Sequence, residues 1–179
     1  MQVLTLSARD EVVLRKPSRH SGHQELLAGR DLVGVLDLSA WSRTAHARAA
    51  DGHWRFRPTR RILRGRVDIV DDTGLTRAAF RYNGWGRGGV LDVAEYTYTL
   101  RKTHGWWKPG WVWTENDVEL AVWNSHPGLR REKGWLHLTE AGKRCPHVSL
   151  LALFGAYVML LHLRSRRAVA GTGGAASTP

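Results

Sequence analysis

The sequence predicts a mainly β fold, a closed antiparallel β-barrel wrapped around a hydrophobic C-terminal helix. The first observation is the apolar run at residues 148–163, VSLLALFGAYVMLLHL, which has no polar face when it is read at helical periodicity. The second is a series of short segments of alternating apolar and polar residues, separated by turns rich in glycine and proline. A closed sheet can bury every side of such a helix and leaves no exposed strand edge, so the two observations together indicate a barrel.

The apolar run also fits a membrane span, and its length favours the barrel core. At ~1.5 Å rise per residue, the run reaches roughly 24 Å, which is short of the ~30 Å hydrocarbon layer. The alternative is a tail-anchored membrane protein, because basic residues stand on both sides of the run, Lys143 and Arg144 before it and Arg164, Arg166 and Arg167 after it. Within a barrel, Gly155 is expected to allow close approach between helix and wall.

Composition indicates one basic domain. The 179 residues carry a formal net charge of +11 and a sequence pI near 10.8, which should draw the surface to phosphates of anionic lipid or nucleic acid. Cys145 is the only cysteine, which excludes an intramolecular disulfide. The N-terminal sequence shows no export signal, so we expect a cytoplasmic protein, and an affinity for anionic lipid would place it at the membrane periphery.

The alternation predicts a series of strands along the chain. Residues 31–38, DLVGVLDL, form the first, with an extension toward Trp41. Further strands are predicted around residues 54–58, 63–69, 78–82, 96–101, 111–113, 118–123 and 135–139, with turns at 71–74 and 83–89. The barrel domain is expected to span residues 31–167. Residues 1–30 receive no assigned element, and residues 168–179 have the small, uncharged composition of a disordered tail.

Two segments share one pattern of turn and strand. Residues 72–80, DTGLTRAAF, align without a gap with residues 115–123, ENDVELAVW, 43 residues later. The alignment places Ala78 over Ala121 and Phe80 over Trp123. Two copies do not make a solenoid or a propeller, which need about three or more. The same hairpin is therefore predicted twice in one sheet.

On these paired hairpins and the final apolar helix, the chain resembles the tubby-like superfamily, which includes LURP-one-related proteins and phospholipid scramblases. The resemblance covers residues 31–167 and implies a closed β-barrel threaded by a hydrophobic helix. It also implies a non-enzymatic binding module, since tubby proteins bind phosphoinositide head groups through basic strand residues. The calcium-binding carboxylates and palmitoylatable cysteine cluster of the scramblases have no counterpart here.

The residues themselves indicate a cationic strand surface as the binding site. No acidic residue interrupts the segment from Arg55 to Arg66, whose arginines are Arg55, Arg57, Arg60, Arg61, Arg64 and Arg66. We expect this surface to bind anionic phospholipid, or to be a solvated face without a ligand. Three tryptophans predicted in turns would lie at the lipid interface: Trp85, Trp106 and Trp107. Four others lie on the apolar phase of their strands and are expected to line the barrel: Trp54, Trp111, Trp113 and Trp123.

Single-stranded nucleic acid is the alternative partner, because bases stack on tryptophans that are interleaved with arginine. Catalysis finds little support, and we expect no enzyme, cofactor or metal. The glycines of residues 83–89 precede a strand, whereas a dinucleotide fingerprint needs a helix there. Cys145 and His147 are close in sequence, but nucleophilic catalysis also needs a third group that orients the base. His162 is expected to be a hydrogen-bonded residue at the helix end.

Overall fold

A computed structural model shows a closed barrel of twelve antiparallel strands with a C-terminal helix inside it. It describes residues 6, 10–18, 22–59, 65–83, 88–103, 110–125 and 131–171, with side chains to Ser165. Each strand pairs with its sequence neighbours, and the first pairs with the last. The strands are β1 Glu11–Arg15, β2 His23–Ala28, β3 Asp31–Leu38, β4 Ala45–Ala49, β5 Gly52–Pro58, β6 Arg66–Val70, β7 Thr76–Tyr82, β8 Gly88–Val93, β9 Tyr96–Thr103, β10 Gly110–Glu115, β11 Val118–Ser125 and β12 Glu132–Leu138. The predicted fold class is confirmed.

The barrel begins earlier than residue 31, where the sequence placed its start. Strands β1 and β2 lie in the segment that received no assigned element, and β1 closes the barrel by pairing with β12. Val12 and Leu14 alternate inward on β1 and are fully buried. The strand is only five residues long, so its apolar alternation was too short to recognise beside the polar residues that flank it.

The predicted alternation on β5 and β6 is confirmed where the structure describes it. Phe56, Val67 and Ile69 point into the barrel and are buried, whereas Arg55 and Arg57 are exposed on the outer wall. Residues 63 and 64, which the prediction included in the second of these strands, lie outside the described residues.

The predicted turn at residues 71–74 joins β6 to β7. Oδ1 of Asp71 accepts hydrogen bonds from the backbone N–H groups of Thr73 and Leu75 at 2.9 and 3.1 Å. Gly74 has φ +87°, a left-handed conformation that glycine adopts without strain. The aspartate therefore organises the turn by bonding to local backbone.

Both repeated segments form hairpins. Ala78 and Ala121 are buried, as are Phe80 and Trp123. The pairing register shifts beside each turn, between Ile69 and Val70 in one hairpin and between Trp113 and Thr114 in the other. The repeat thus corresponds to two hairpins of the same wall whose second strands face inward alike, but their connections differ, with five residues at 71–75 and two at 116–117, and the β8–β9 hairpin lies between them.

Two predicted boundaries are wrong. The turn at 83–89 is shorter, because Gly88 and Gly89 belong to β8. A Cβ on Gly89 would lie 2.3 Å from the carbonyl oxygen of Arg81 and 2.4 Å from the ring of Phe80, so packing within the strand requires glycine at this position. Strand β3 ends at Leu38 and does not extend toward Trp41.

Two helices follow the last strand. Helix α1, Glu140–Arg144, was not predicted; it begins at Thr139, whose hydroxyl accepts a hydrogen bond from the N–H of Gly142 at 3.0 Å. Helix α2, Val148–Gly171, begins where the sequence predicted and ends eight residues beyond the predicted end at residue 163. It includes part of the predicted disordered tail, and residues 172–179 lie outside the described residues.

Helix α2 fills the barrel. Every residue from 148 to 160 is buried. Phe154 meets the wall rings Phe56 and Phe80 at centroid distances of 5.0 and 4.9 Å. The indole N–H of Trp123 donates to the backbone carbonyl of Ala152 at 3.1 Å. The predicted wall tryptophans are confirmed, since Trp54 packs partly buried against the core and Trp111, Trp113 and Trp123 are buried in it.

The predicted close approach at Gly155 is also confirmed. A Cβ at this position would lie 2.6 Å from Cδ1 and Nε1 of Trp123 and 2.9 Å from Nε1 of Trp113. Distances this short do not occur between unbonded atoms at rest, so only glycine fits without a shift of the wall.

In the part of the chain that the structure describes, one helical window is long and apolar enough to cross a membrane by length and composition. This window, Val148–Ser165, is 72% buried inside the protein. A core helix of a soluble protein passes the same test.

Candidate functional site

The two ends of the barrel differ in the length of their strand connections. At one end, which we call the loop end, six connections of five to seven residues join the strands: 16–22, 39–44, 59–65, 83–87, 104–109 and 126–131. At the other, the turn end, four of the five connections have two residues: 29–30, 50–51, 71–75, 94–95 and 116–117. Helix α2 enters the barrel at the turn end and leaves it at the loop end.

The two ends also differ in charge. The sequence of the loop-end connections holds ten Lys and Arg residues and no Asp or Glu: Lys16, Arg19, Arg43, Arg60, Arg61, Arg64, Arg87, Lys108, Arg130 and Arg131. The turn-end connections hold one arginine, Arg30, against five carboxylates: Asp51, Asp71, Asp72, Glu95 and Asp117. Tryptophan occurs four times in the loop-end connections and in none of the turn-end ones. Among the strand connections, basic and aromatic residues are thus concentrated at the loop end.

The six predicted arginines divide between wall and loop end. Arg55 and Arg57 are exposed on β5 and form no ion pair with a described residue, so their charge is available to a ligand. Arg66, on β6, is paired with Asp68, with Nε 2.5 Å from Oδ1. The predicted cationic surface ends at Arg66, and Asp68, two residues further along the same strand face, neutralises part of its charge. Arg60, Arg61 and Arg64 lie outside the described residues.

The three tryptophans predicted at an interface all belong to loop-end connections. Trp85, Trp106 and Trp107 lie outside the described residues. A fourth, Trp41, was missed because its apolar ring continues the apolar pattern of β3 in the sequence. It exposes 96% of its surface in the 39–44 connection. The serines on both sides of it, Ser39 and Ser42, are typical of a loop and were the signal that could have identified it.

A small cavity of about 70 Å³ opens at the loop end between the wall and α2. Its lining includes Lys16, Gln24, Lys133 and Arg164, with Leu160 at its apolar side. Gln24 is 4% exposed, and its Oε1 has no hydrogen-bond partner among the described residues. Burial lowers the pKa of Arg164 from its usual value, because the guanidinium is partly removed from water. Cationic side chains therefore continue from the loop-end connections into the barrel mouth.

A larger cavity of about 530 Å³ lies at the turn end, where α2 enters the barrel. Trp54, Val93 and Leu150 contribute apolar walls, and Asp51 and Arg77 contribute charge. Arg77 is held by Asp71, with Nε 2.5 Å from Oδ2. The volume and mixed lining are within the range of small-molecule sites, and no described feature selects a ligand.

Cys145 and His147 meet at this end through Tyr98. The Cys145 thiol donates to the Tyr98 hydroxyl at 3.4 Å, and the same hydroxyl is hydrogen-bonded to Nδ1 of His147, 3.0 Å away. Burial raises the pKa of the Cys145 thiol and lowers the pKa of His147. Both groups are therefore neutral near pH 7, and the thiolate that nucleophilic catalysis requires is disfavoured. The Cys–Tyr–His contact fastens the start of α2 to β9.

His162 contacts Nζ of Lys102 through Nε2 at 3.4 Å and packs edge-on against Trp111. The predicted hydrogen bond fits this contact, but His162 does not lie at the helix end, because α2 continues to Gly171. Among the described residues, no three His, Cys, Asp or Glu side chains are grouped so as to hold a metal ion.

Comparison with protein-family models, with curated proteins and with solved structures gives no match to this chain. The resemblance to the tubby-like superfamily stays a prediction.

Proposed function

We propose that the protein is a non-enzymatic binding module that docks its loop end on an anionic membrane surface. The observation that carries this proposal is the division of charge between the two ends of the barrel. Ten basic and no acidic residues stand in the loop-end connections, together with four tryptophans. Basic residues attract anionic lipid head groups, and tryptophan prefers the interface between head groups and acyl chains.

The barrel gives this end a suitable form. Each strand runs antiparallel to the next one in the chain, so successive connections lie at opposite ends of the barrel. All six loop-end connections therefore lie at the same end. Each basic residue near an anionic surface contributes about 1 kcal/mol, so engagement of four of the ten would supply roughly 4 kcal/mol. Arg57, exposed near the end of β5, extends the cationic surface up the wall. The predicted strand face thus becomes the flank of a larger docking surface.

Charge reversal at matched positions tests the proposal. Arg43→Glu with Arg57→Glu alters two exposed residues at the loop end, and Arg30→Glu with Arg48→Glu makes the same change in net charge nearer the turn end. Loss of two surface arginines at ~1 kcal/mol each should weaken binding to phosphatidylserine vesicles about 30-fold or more at low salt. The control pair should retain most of the binding.

Three results would contradict membrane docking. One is a wild-type protein that does not bind anionic vesicles at low salt, where attraction is strongest. Another is an equal loss in both charge-reversal pairs, which would indicate a response to net charge without a docking surface. The third is binding of single-stranded oligonucleotides with tryptophan quenching, in the absence of vesicle binding, which would favour the nucleic-acid alternative.

A further inference from the structure

Trp41 stands out among the large apolar side chains that the structure describes. It exposes 96% of its surface, whereas the next most exposed, Leu75 and Val118, expose 57% and 53%. Leu75 and Val118 lie at the turn end and Trp41 lies at the loop end. Burial of such a ring is favourable, so Trp41 is available to contact an apolar surface at the loop end.

The loop that carries Trp41 is internally hydrogen-bonded. Oγ of Ser39 accepts from the backbone N–H groups of Trp41 and Ser42 at 3.3 and 3.2 Å. The N–H of Ser39 donates to the carbonyl of Thr44 at 2.9 Å, which closes the base of the loop. The exposure of Trp41 therefore belongs to an ordered loop.

Helix α2 holds the same loop from inside the barrel. The Tyr157 hydroxyl donates to the carbonyl of Arg43 at 2.9 Å, and Nη1 of Arg164 donates to the carbonyl of Ser39 at 3.0 Å. The Tyr157 ring is fully buried, and this burial raises the pKa of its hydroxyl, so the hydroxyl stays a donor across the physiological range. Two donors of the core helix thus fix the two sides of the loop on which Trp41 stands.

We propose that Trp41 is the side chain that enters the lipid interface, and that Tyr157 and Arg164 hold its loop in the inserting position. This inference rests on the proposed membrane docking and assigns a specific anchor to it. A lipid surface fits better than a protein pocket because Arg43 is exposed in the same loop, the exposed Arg164 donates to Ser39 of that loop, and no acidic residue stands in any loop-end connection. An interfacial anchor needs this combination of one amphipathic ring and nearby cations.

The test measures partitioning onto vesicles of phosphatidylcholine and phosphatidylserine, some carrying brominated acyl chains that quench tryptophan. Trp41→Ala should lower the partition coefficient roughly tenfold or more, because the ring's contact with lipid is lost. Its melting temperature should be unchanged, because the ring makes few contacts in the fold. Trp41→Phe should remove a component of bromine quenching that wild type shows. Leu75→Ala at the turn end is the matched control and should bind as wild type does.

The role of the helix is tested without altering charge. Tyr157→Phe keeps the buried ring and removes only the donor to the loop, and Tyr98→Phe is the corresponding change at the turn end. We expect Tyr157→Phe to bind vesicles several-fold more weakly and to show less quenching of Trp41, with Tyr98→Phe unchanged in both. Equal binding by Tyr157→Phe and wild type would overturn the role assigned to the helix.

The two proposals fail separately. Normal vesicle binding by Trp41→Ala, beside weak binding by the Arg43→Glu, Arg57→Glu pair, would overturn the anchor and leave membrane docking standing. Absence of vesicle binding by wild type itself would overturn membrane docking and the anchor with it.

Discussion

Replacement of Gly155 by alanine should destabilise the protein, although alanine is the better helix former. The new methyl carbon would lie 2.6 Å from Nε1 and Cδ1 of Trp123 and 2.9 Å from Nε1 of Trp113. Both rings are fully buried, so neither can rotate into solvent. Overpacking of this kind costs about 1–3 kcal/mol. Displacement of Trp123 also weakens its bond to the carbonyl of Ala152, at a further cost of about 1–2 kcal/mol.

Helix propensity opposes these costs with a gain of about 1 kcal/mol for Gly→Ala. The net expectation is a loss of about 1–4 kcal/mol, which lowers the melting temperature by roughly 2–16 °C in a chain of this size. Thermal and urea unfolding of Gly155→Ala measure it, and the same substitution in a Trp123→Phe background should cost at least about 1 kcal/mol less. A Gly155→Ala protein as stable as wild type, or more stable, would refute the packing of α2 against this wall.

Three further predictions concern stability. In urea unfolding, Trp123→Phe should lower the free energy of unfolding by about 1 kcal/mol more than Trp113→Phe does. The reason is that the indole N–H of Trp123 has a buried acceptor, whereas that of Trp113 has no partner among the described residues. Equal losses in the two variants would contradict this. Hydrogen bonds from the Thr73 hydroxyl and, second, from the Arg77 guanidinium lower the pKa of the Asp71 carboxyl in the folded protein. The carboxylate therefore stabilises the fold at pH values above the unfolded-state pKa of about 4, and this stabilisation is lost as the pH falls below that value. Asp71→Asn should therefore melt below wild type at pH 7 with a difference that shrinks by pH 3, whereas a constant difference, or one as large in Asp72→Asn, would argue against the carboxylate. Removal of residues 148–171 should abolish cooperative unfolding, and a truncated protein that stays folded would instead support a membrane anchor.

The elements that the sequence predicted well have a strong local pattern. Residues 31–38 are an apolar run of strand length, and β3 has these bounds. The start of α2 follows from an apolar run that shows no polar face when it is read at helical spacing. Asp71 and Gly74 provide turn chemistry that needs no distant contact. In each case the information lies within about ten residues.

The elements that were missed depend on distant contacts. Strand β1 is short, and it is held by pairing with β12, more than a hundred residues later in the chain. The alternation of apolar and polar residues along a strand indicates which side chains point inward, but it does not indicate which strands are neighbours in the sheet. The exposure of Trp41 depends on bonds from α2 to its loop, and the separation of charge between the two ends follows from the order of all twelve strands.

The most direct test of membrane docking is the orientation of the barrel on a vesicle. A polarity-sensitive fluorophore is attached through Ser42→Cys at the loop end or through Leu75→Cys at the turn end. Both sites are exposed, whereas the native Cys145 is 7% exposed and should react slowly. On phosphatidylserine vesicles, the loop-end label should shift to shorter emission wavelengths and become shielded from an aqueous quencher, while the turn-end label stays unchanged. Shielding of the turn-end label, or of neither label in vesicle-bound protein, would contradict docking through the loop end.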